Sequence, residues 1–281
     1  MKKKIIFIMV DGFGIPPIGW RRSFFYKFSP EFTKLISENS IPVDTNMGVN
    51  GIPQSATGQS SIFTGLNTAS IMGAHIPGFP GPKLKKIIIE SNLFKFFAKR
   101  GLNCAFANAY VRFSLEDLNK MNLKSVTTVM LESVLGWTRD IEKLLSGQAV
   151  YHDITNKSIA SDKIPIITPE KAAENLLGIA EKNDFTLFEY FLTDRAGHSM
   201  DIKFLKECFD NLSRFILEII KGLKSNMAFF LTSDHGNSED LSVKTHTKNP
   251  VPLMGINTNF NKLNCKIEEI STILKNTFDY A

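Results

Sequence analysis

Short apolar runs, many of them closing on a polar residue or a glycine, recur along the chain between stretches whose apolar positions follow helical spacing. A run without polar alternation predicts a strand buried on both faces, as in parallel sheets. The clearest runs are residues 5–10, 185–192 and 227–231, with a further strand expected at 103–107. Ser29-Pro30-Glu31 opens a helix reaching about residue 39, and Thr168-Pro169-Glu170 opens another reaching about residue 182, each with proline at the first helical position. A third runs from 201 to about 224, where Phe204, Leu205, Phe209, Leu212, Phe215, Ile216 and Ile219 form one stripe. A fourth spans 93 to 100 and ends at Gly101.

Strands alternating with helices predict an α/β fold: a mostly parallel sheet with helices on both faces. In such sheets the chemistry sits beyond the carboxyl ends of the strands. At 281 residues the chain is expected to form one domain over 1–281. Its texture changes within about 71–167, where a Gly/Pro-rich stretch at 73–82 and a polar run at 151–156 suggest cap elements.

Composition narrows the function classes. Hydrophobic residues at 43% and charged residues at 22% exclude a disordered chain. The net charge is +5, but it is carried by 26 Lys against 7 Arg scattered along the chain, so no nucleic-acid partner is expected. Three widely spaced cysteines, Cys104, Cys208 and Cys265, give neither a disulfide framework nor a thiolate zinc site and fit a reducing cytoplasm. Lys2-Lys3-Lys4 followed by six apolar residues imitates a secretion signal, but the run stops at Asp11 and reads as a buried strand. No apolar run is long enough to span a membrane.

The acidic and imidazole residues fall at the expected strand ends. Asp11 follows the first strand in Val10-Asp11-Gly12-Phe13-Gly14, Asp194 and His198 follow a second in Asp194-Arg195-Ala196-Gly197-His198, and Asp234-His235-Gly236 follows a third. Three of the five histidines, His198, His235 and His246, belong to this set, while His75 and His152 read as loop residues. Carboxylates mixed with neutral imidazoles suit Zn²⁺ or Mn²⁺, and six such ligands suffice for two ions. Two ions form a clamp for phosphate-ester chemistry. Gly12, Gly14, Gly197 and Gly236 leave room for sharp turns beside the ligands. No Walker motif occurs, and Gly12-Phe13-Gly14 lacks the third glycine of a dinucleotide fingerprint.

These segments together resemble the alkaline phosphatase superfamily of metalloenzymes, within it the cofactor-independent phosphoglycerate mutase and phosphopentomutase branch. The resemblance implies that one ion is held by Asp11, Asp234, His235 and a hydroxyl nucleophile, and the other by Asp194, His198 and His246. The branch pattern places the nucleophile at Ser55 in Gln54-Ser55-Ala56-Thr57-Gly58-Gln59, with Thr57 as the alternative. Gln59 stands where the mutases carry histidine, and the interval from Ser55 to Asp194 is too short for their large inserted domain. No arginine accompanies this loop, which separates it from the sulfatase signature. Arg195 is suited to pair with a substrate phosphate, and Arg112 and Arg139 are further candidates. The expected activity is phosphotransfer on a small phosphate ester, as hydrolase or phosphomutase, through phosphoserine at Ser55. A phosphodiesterase and a non-catalytic metal-binding homologue are the alternatives.

Overall fold

The computed structural model describes residues 3–279 apart from 114, 137 and 261–264. Among the described residues seven strands form one sheet: β1 (Lys4–Val10), β2 (Ser40–Asp44), β3 (Cys104–Phe106), β4 (Phe185–Tyr190), β5 (Met227–Thr232), β6 (Val251–Ile256) and β7 (Cys265–Lys266). Their order is β3-β4-β1-β5-β6-β2-β7, and only β6 runs antiparallel to its neighbours. The central strand β1 pairs Val10 with Tyr190 of β4 and Met9 with Thr232 of β5. That register brings three carboxyl ends out flush at one edge of the sheet, so whatever follows them must converge.

Eight helices position the site or cover the sheet: α1 (Pro30–Asn39), α2 (Ser55–Thr64), α3 (Leu93–Ala98), α4 (Val126–Glu132), α5 (Pro169–Ala180), α6 (Leu192–Ser199), α7 (Ile202–Lys221) and α8 (Glu269–Asp279). Successive β1 side chains point to opposite faces, and each face has its own core. Ile6 and Ile8 pack with Phe32, Leu176, Phe209 and Phe215 from α1, α5 and α7. Phe7 and Met9 pack with Phe63, Phe94, Phe97 and Leu274 from α2, α3 and α8. Phenylalanine supplies much of the contact: Phe97 stacks on Phe185 at 4.7 Å and Phe25 on Phe209 at 4.6 Å. Such rings bury large areas in preferred geometries. A small separate cluster of Ala109, Leu144, Ala149, Tyr151 and Ile164 lies within the segment between β3 and α5.

Two features depart from the sequence expectation. The strand expected over 185–192 ends at Tyr190, and Leu192 already begins α6. The Thr193 hydroxyl donates to the Asp11 carbonyl at 2.5 Å, which ties the first turn of α6 to the end of β1. Strands β2 and β6 were hidden because each contains a proline, Pro42 and Pro252, placed opposite one another. Proline removes ladder donors and weakens any strand signal. No helix among the described residues is long and apolar enough to cross a membrane.

Candidate metal centre

Asp11 follows β1 directly, Asp234-His235 lies just past β5, and Asp194 and His198 lie one turn apart on α6, facing the same way. His246 comes from the loop before β6, and Ser55 is the first residue of α2. Two glycines permit this crowding. Gly12 has φ +65, and a Cβ there would sit 2.6 Å from Asp194 Oδ1. A Cβ on Gly58 would lie 2.6 Å from the Asp234 carbonyl, so only glycine lets α2 press against the end of β5.

The donor atoms gather in two overlapping groups. Single ligand atoms of Asp11, Asp234 and His235 lie within 4.8 Å of one another, as do those of Asp194, His235 and His246. His235 Nε2 is 3.3 Å from Asp11 Oδ1, 3.6 Å from Asp234 Oδ2 and 2.9 Å from Ser55 Oγ. His198 Nε2 is 3.3 Å from Asp194 Oδ2 and 3.1 Å from His246 Nε2, which is itself 3.5 Å from Asp194 Oδ1. Thr57 is turned elsewhere: its hydroxyl donates to the Gln54 carbonyl at 3.2 Å and accepts from the Ile76 amide.

The chemistry of this donor set fits divalent ions. Each histidine directs Nδ1 at a backbone carbonyl: His198 at Lys244 (2.6 Å), His246 at Pro53 (2.9 Å) and His235 at Gly236 (3.3 Å). A carbonyl only accepts, so Nδ1 carries a hydrogen and the Nε2 of each ring is directed at the centre. The Nε2 atoms of His198 and His246 face each other at 3.1 Å, as two ligands of one cation would. Asp11 Oδ1 is buried and has no hydrogen-bond partner among the described residues. Ligands of a tetrahedral ion at about 2.0–2.2 Å are about 3.3–3.6 Å apart, and the ligand separations here centre on that range.

Electrostatics point the same way. Burial, then Asp234, Asp194 and Glu189, hold the Asp11 carboxyl well above the usual carboxylate range. Asp234 is raised to about 6 by burial, against an opposing hydrogen bond from Gln59 and with a further push from Asp194. Burial and the nearby His246 press His235 down to about 3. Buried carboxylates in mutual repulsion beside the His235 imidazole, which resists protonation, form a site that positive ions relieve.

Several supporting residues were not singled out from the sequence. Glu239, almost fully buried, accepts from the Gly14 amide (3.0 Å), the Asn237 amide (2.8 Å), the Asn249 side chain (3.0 Å) and the Thr247 hydroxyl. One carboxylate therefore knits the loops carrying Asp11, His235 and His246. Asn237 Nδ2 donates to Asp194 Oδ1 at 2.6 Å, and Gln59 Nε2 donates to Asp234 Oδ2 at 2.9 Å while approaching Asp11 Oδ2 at 3.5 Å. The signal for these was nearness to the Asp234-His235 pair and to Ser55. Glu239→Ala is expected to lower stability by roughly 3 kcal/mol, because four donors, two of them fully buried, lose their acceptor. Urea denaturation measures this, and a loss below about 1 kcal/mol would contradict the bracing role.

The structure brings neither Arg195 nor Arg139 to the ligands, and Arg112 lines a cavity with Tyr110, His152 and Glu189. Arg195 is exposed and lines a separate cavity with Asp153, Glu207 and Cys208. Arg139 is buried and donates to the Phe106 and Gln148 carbonyls. Asp153 closes a turn, accepting from the amides of Asn156 and Ser158 at 2.7 Å.

Comparison with known proteins defines the class. The Metalloenzyme superfamily profile matches residues 3–278, and the chain belongs to that family, an alkaline phosphatase-like group. It is 31% identical over 120 residues to the 2,3-bisphosphoglycerate-independent phosphoglycerate mutase of Metamycoplasma hominis, covering 39% of this chain and 24% of that protein. To the enzyme of the same name from Mycoplasmopsis synoviae it is 25% identical over 210 residues, covering 69% of this chain and 41% of the other. The chain thus spans between a quarter and two-fifths of the length of these relatives. Its fold is similar to that of the PH0037 protein of Pyrococcus horikoshii (TM-score 0.63, 14% identity, 100% of this chain and 98% of the other). It is also similar to the alkaline phosphatase of the Antarctic bacterium TAB5 (TM-score 0.55, 14% identity, 100% and 99%).

Proposed function

We propose that the protein is a two-metal phosphotransfer enzyme, phosphatase or phosphomutase, acting on a small phosphate ester through a phosphoserine at Ser55. The observation that carries this is the placement of Ser55 Oγ. It stands half-buried, 2.9 Å from His235 Nε2, at the start of a ten-residue helix. That helix has no side-chain cap, so its first amides are free to receive phosphate oxygens and its dipole favours their charge. Asp11, Asp234 and His235 would hold one ion with Ser55; Asp194, His198 and His246 would hold the other.

When bound, such a pair of ions activates an attacking oxygen and neutralises charge on the transferring phosphoryl group. The protein fixes the geometry for this. His235 accepts the Ser55 hydroxyl hydrogen bond and holds Oγ toward the carboxylates. Gln59, whose amide cannot titrate, holds Asp234 Oδ2 instead of exchanging protons with it. The resemblance to mutases supports phosphoryl transfer, while the spacing between Ser55 and Asp194 argues against classical glycolytic mutase activity.

A panel of sugar phosphates, glycerate phosphates, nucleotides and phosphodiesters, assayed with Zn²⁺ and with Mn²⁺, tests this reading. Release of phosphate from monoesters marks a phosphatase, and isomerisation of one compound without release marks a mutase. Turnover confined to diesters would replace the proposal with a phosphodiesterase. Metal binding without any turnover would leave a binding protein.

A further inference from the structure

A cavity of about 340 Å³ opens on the α2 face of the sheet, and its lining residue Glu189 pairs with Met9, two residues before Asp11. Aromatic rings make up much of the cavity wall, with Arg112, Ser125 and Thr128 beside them. Phe106 and Tyr110 form one side, with centroids 6.1 Å apart, and the Tyr151, His152 and Phe191 rings form a continuous series at 4.2 and 6.0 Å. Phe113 stands at the exposed rim. Phe191 leads directly into α6, three residues before Asp194, so this wall and the second ligand group share a backbone.

The cavity also contains a fixed acid. Glu189 of β4 is 1% exposed and points to the same face as Leu187, the face that α2 covers. The Asn108 side chain grips its backbone twice, donating to the Glu189 carbonyl at 2.7 Å and accepting from its amide at 2.8 Å. Glu189 Oε1 accepts from the Thr127 hydroxyl, whereas Oε2 has no hydrogen-bond partner among the described residues. His152 Nδ1 is likewise buried without a partner. A buried acid with one uncommitted oxygen, aimed into an aromatic cavity, is a recognition group awaiting a ligand.

We propose that this cavity receives the organic half of the phosphate ester, and that this half is a planar aromatic or heteroaromatic group with a polar atom on its edge. The inference rests on the phosphotransfer reading for the location of the phosphate. Rings on two sides offer stacking surfaces, which reward a flat π-system. Burial pushes Glu189 up to about 8, and its uncommitted Oε2 is placed to hydrogen-bond a polar atom on the ring's edge.

Calorimetric titration of the metal-loaded protein with adenosine, phenol and ribose tests the pocket without any turnover. At least one ring probe is expected to bind with Kd of about 1 mM or tighter, and ribose more weakly. Tyr110→Ala is expected to weaken ring binding about tenfold, Tyr110→Phe to restore it to within about twofold, and Ser55→Ala to leave it unchanged. In the turnover assay, phenyl phosphate or adenosine monophosphate is expected to show a KM at least about tenfold below those of 3-phosphoglycerate and glucose 6-phosphate. The proposal is overturned if neither ring probe binds better than ribose, or if a folded Tyr110→Ala protein binds them as well as the wild type does. Ring binding without turnover of any ester would sustain the pocket and remove the phosphotransfer reading.

Discussion

Ser55→Ala is expected to reduce phosphate-ester turnover by at least about 10³-fold while leaving the fold and both metal equivalents in place. The serine hydroxyl would contribute one atom to the centre, whereas three side chains, Asp11, Asp234 and His235, would remain to hold the same ion. Thr57→Ala is expected to change turnover only a few-fold, since the Thr57 hydroxyl is spent on the Gln54 carbonyl and the Ile76 amide. A Thr57→Ala protein as inactive as Ser55→Ala would move the nucleophile. Unchanged turnover in Ser55→Ala would instead leave the attack to water. Mass spectrometry of acid-quenched wild-type enzyme should find phosphate on the peptide containing Ser55 and none on that peptide in the variant.

Removing the ions is expected to have the second large effect, with a distinctive pH signature. In the metal-free protein Asp234 sits at about 6, raised above its ordinary value mainly by burial. A carboxyl held more tightly protonated in the folded state stabilises the fold fully below the unfolded value of about 4. That contribution is lost as pH climbs through about 6, amounting to roughly 3 kcal/mol. The chelated wild type should therefore lose stability between about pH 4 and 7 relative to chelated Asp234→Asn, which has no charge to bury. Gln59 can turn its amide to accept from the new side chain. With ions present the order reverses. Metal requires the deprotonated carboxylates, so it stabilises the wild type increasingly as pH rises past about 6 and stabilises Asp234→Asn little. His235, pressed down to about 3, stays neutral throughout this window and does not set the acid limit. Identical pH profiles for the two chelated proteins would contradict the assignment of strain to Asp234.

The strand ends were legible because buried parallel strands announce themselves as unbroken apolar runs, and the register of β1 with β4 and β5 does the rest. Asp11, Asp234 and His235 needed only that rule to be placed together. Other features depend on orientation, which a sequence does not encode locally. Ser55 and Thr57 are two residues apart on α2, and only the helix's phase against β5 sends one hydroxyl to His235 and the other to its own backbone. Arg195 adjoins a ligand in sequence yet lines another cavity, because neighbours on a helix point about 100° apart. Glu239 and Glu189 were overlooked for a related reason: a carboxylate signals exposure until its partners are known, and those partners lie on distant loops.

Elemental analysis of the purified, dialysed protein is the sharpest check on a two-ion centre. Two equivalents of a divalent metal per chain are expected, falling to one in His246→Ala, where the group shared with Asp194 is broken but the Asp11, Asp234 and His235 group remains. One equivalent or none in the wild type after incubation with Zn²⁺ and with Mn²⁺, or two equivalents retained in His246→Ala, would contradict it.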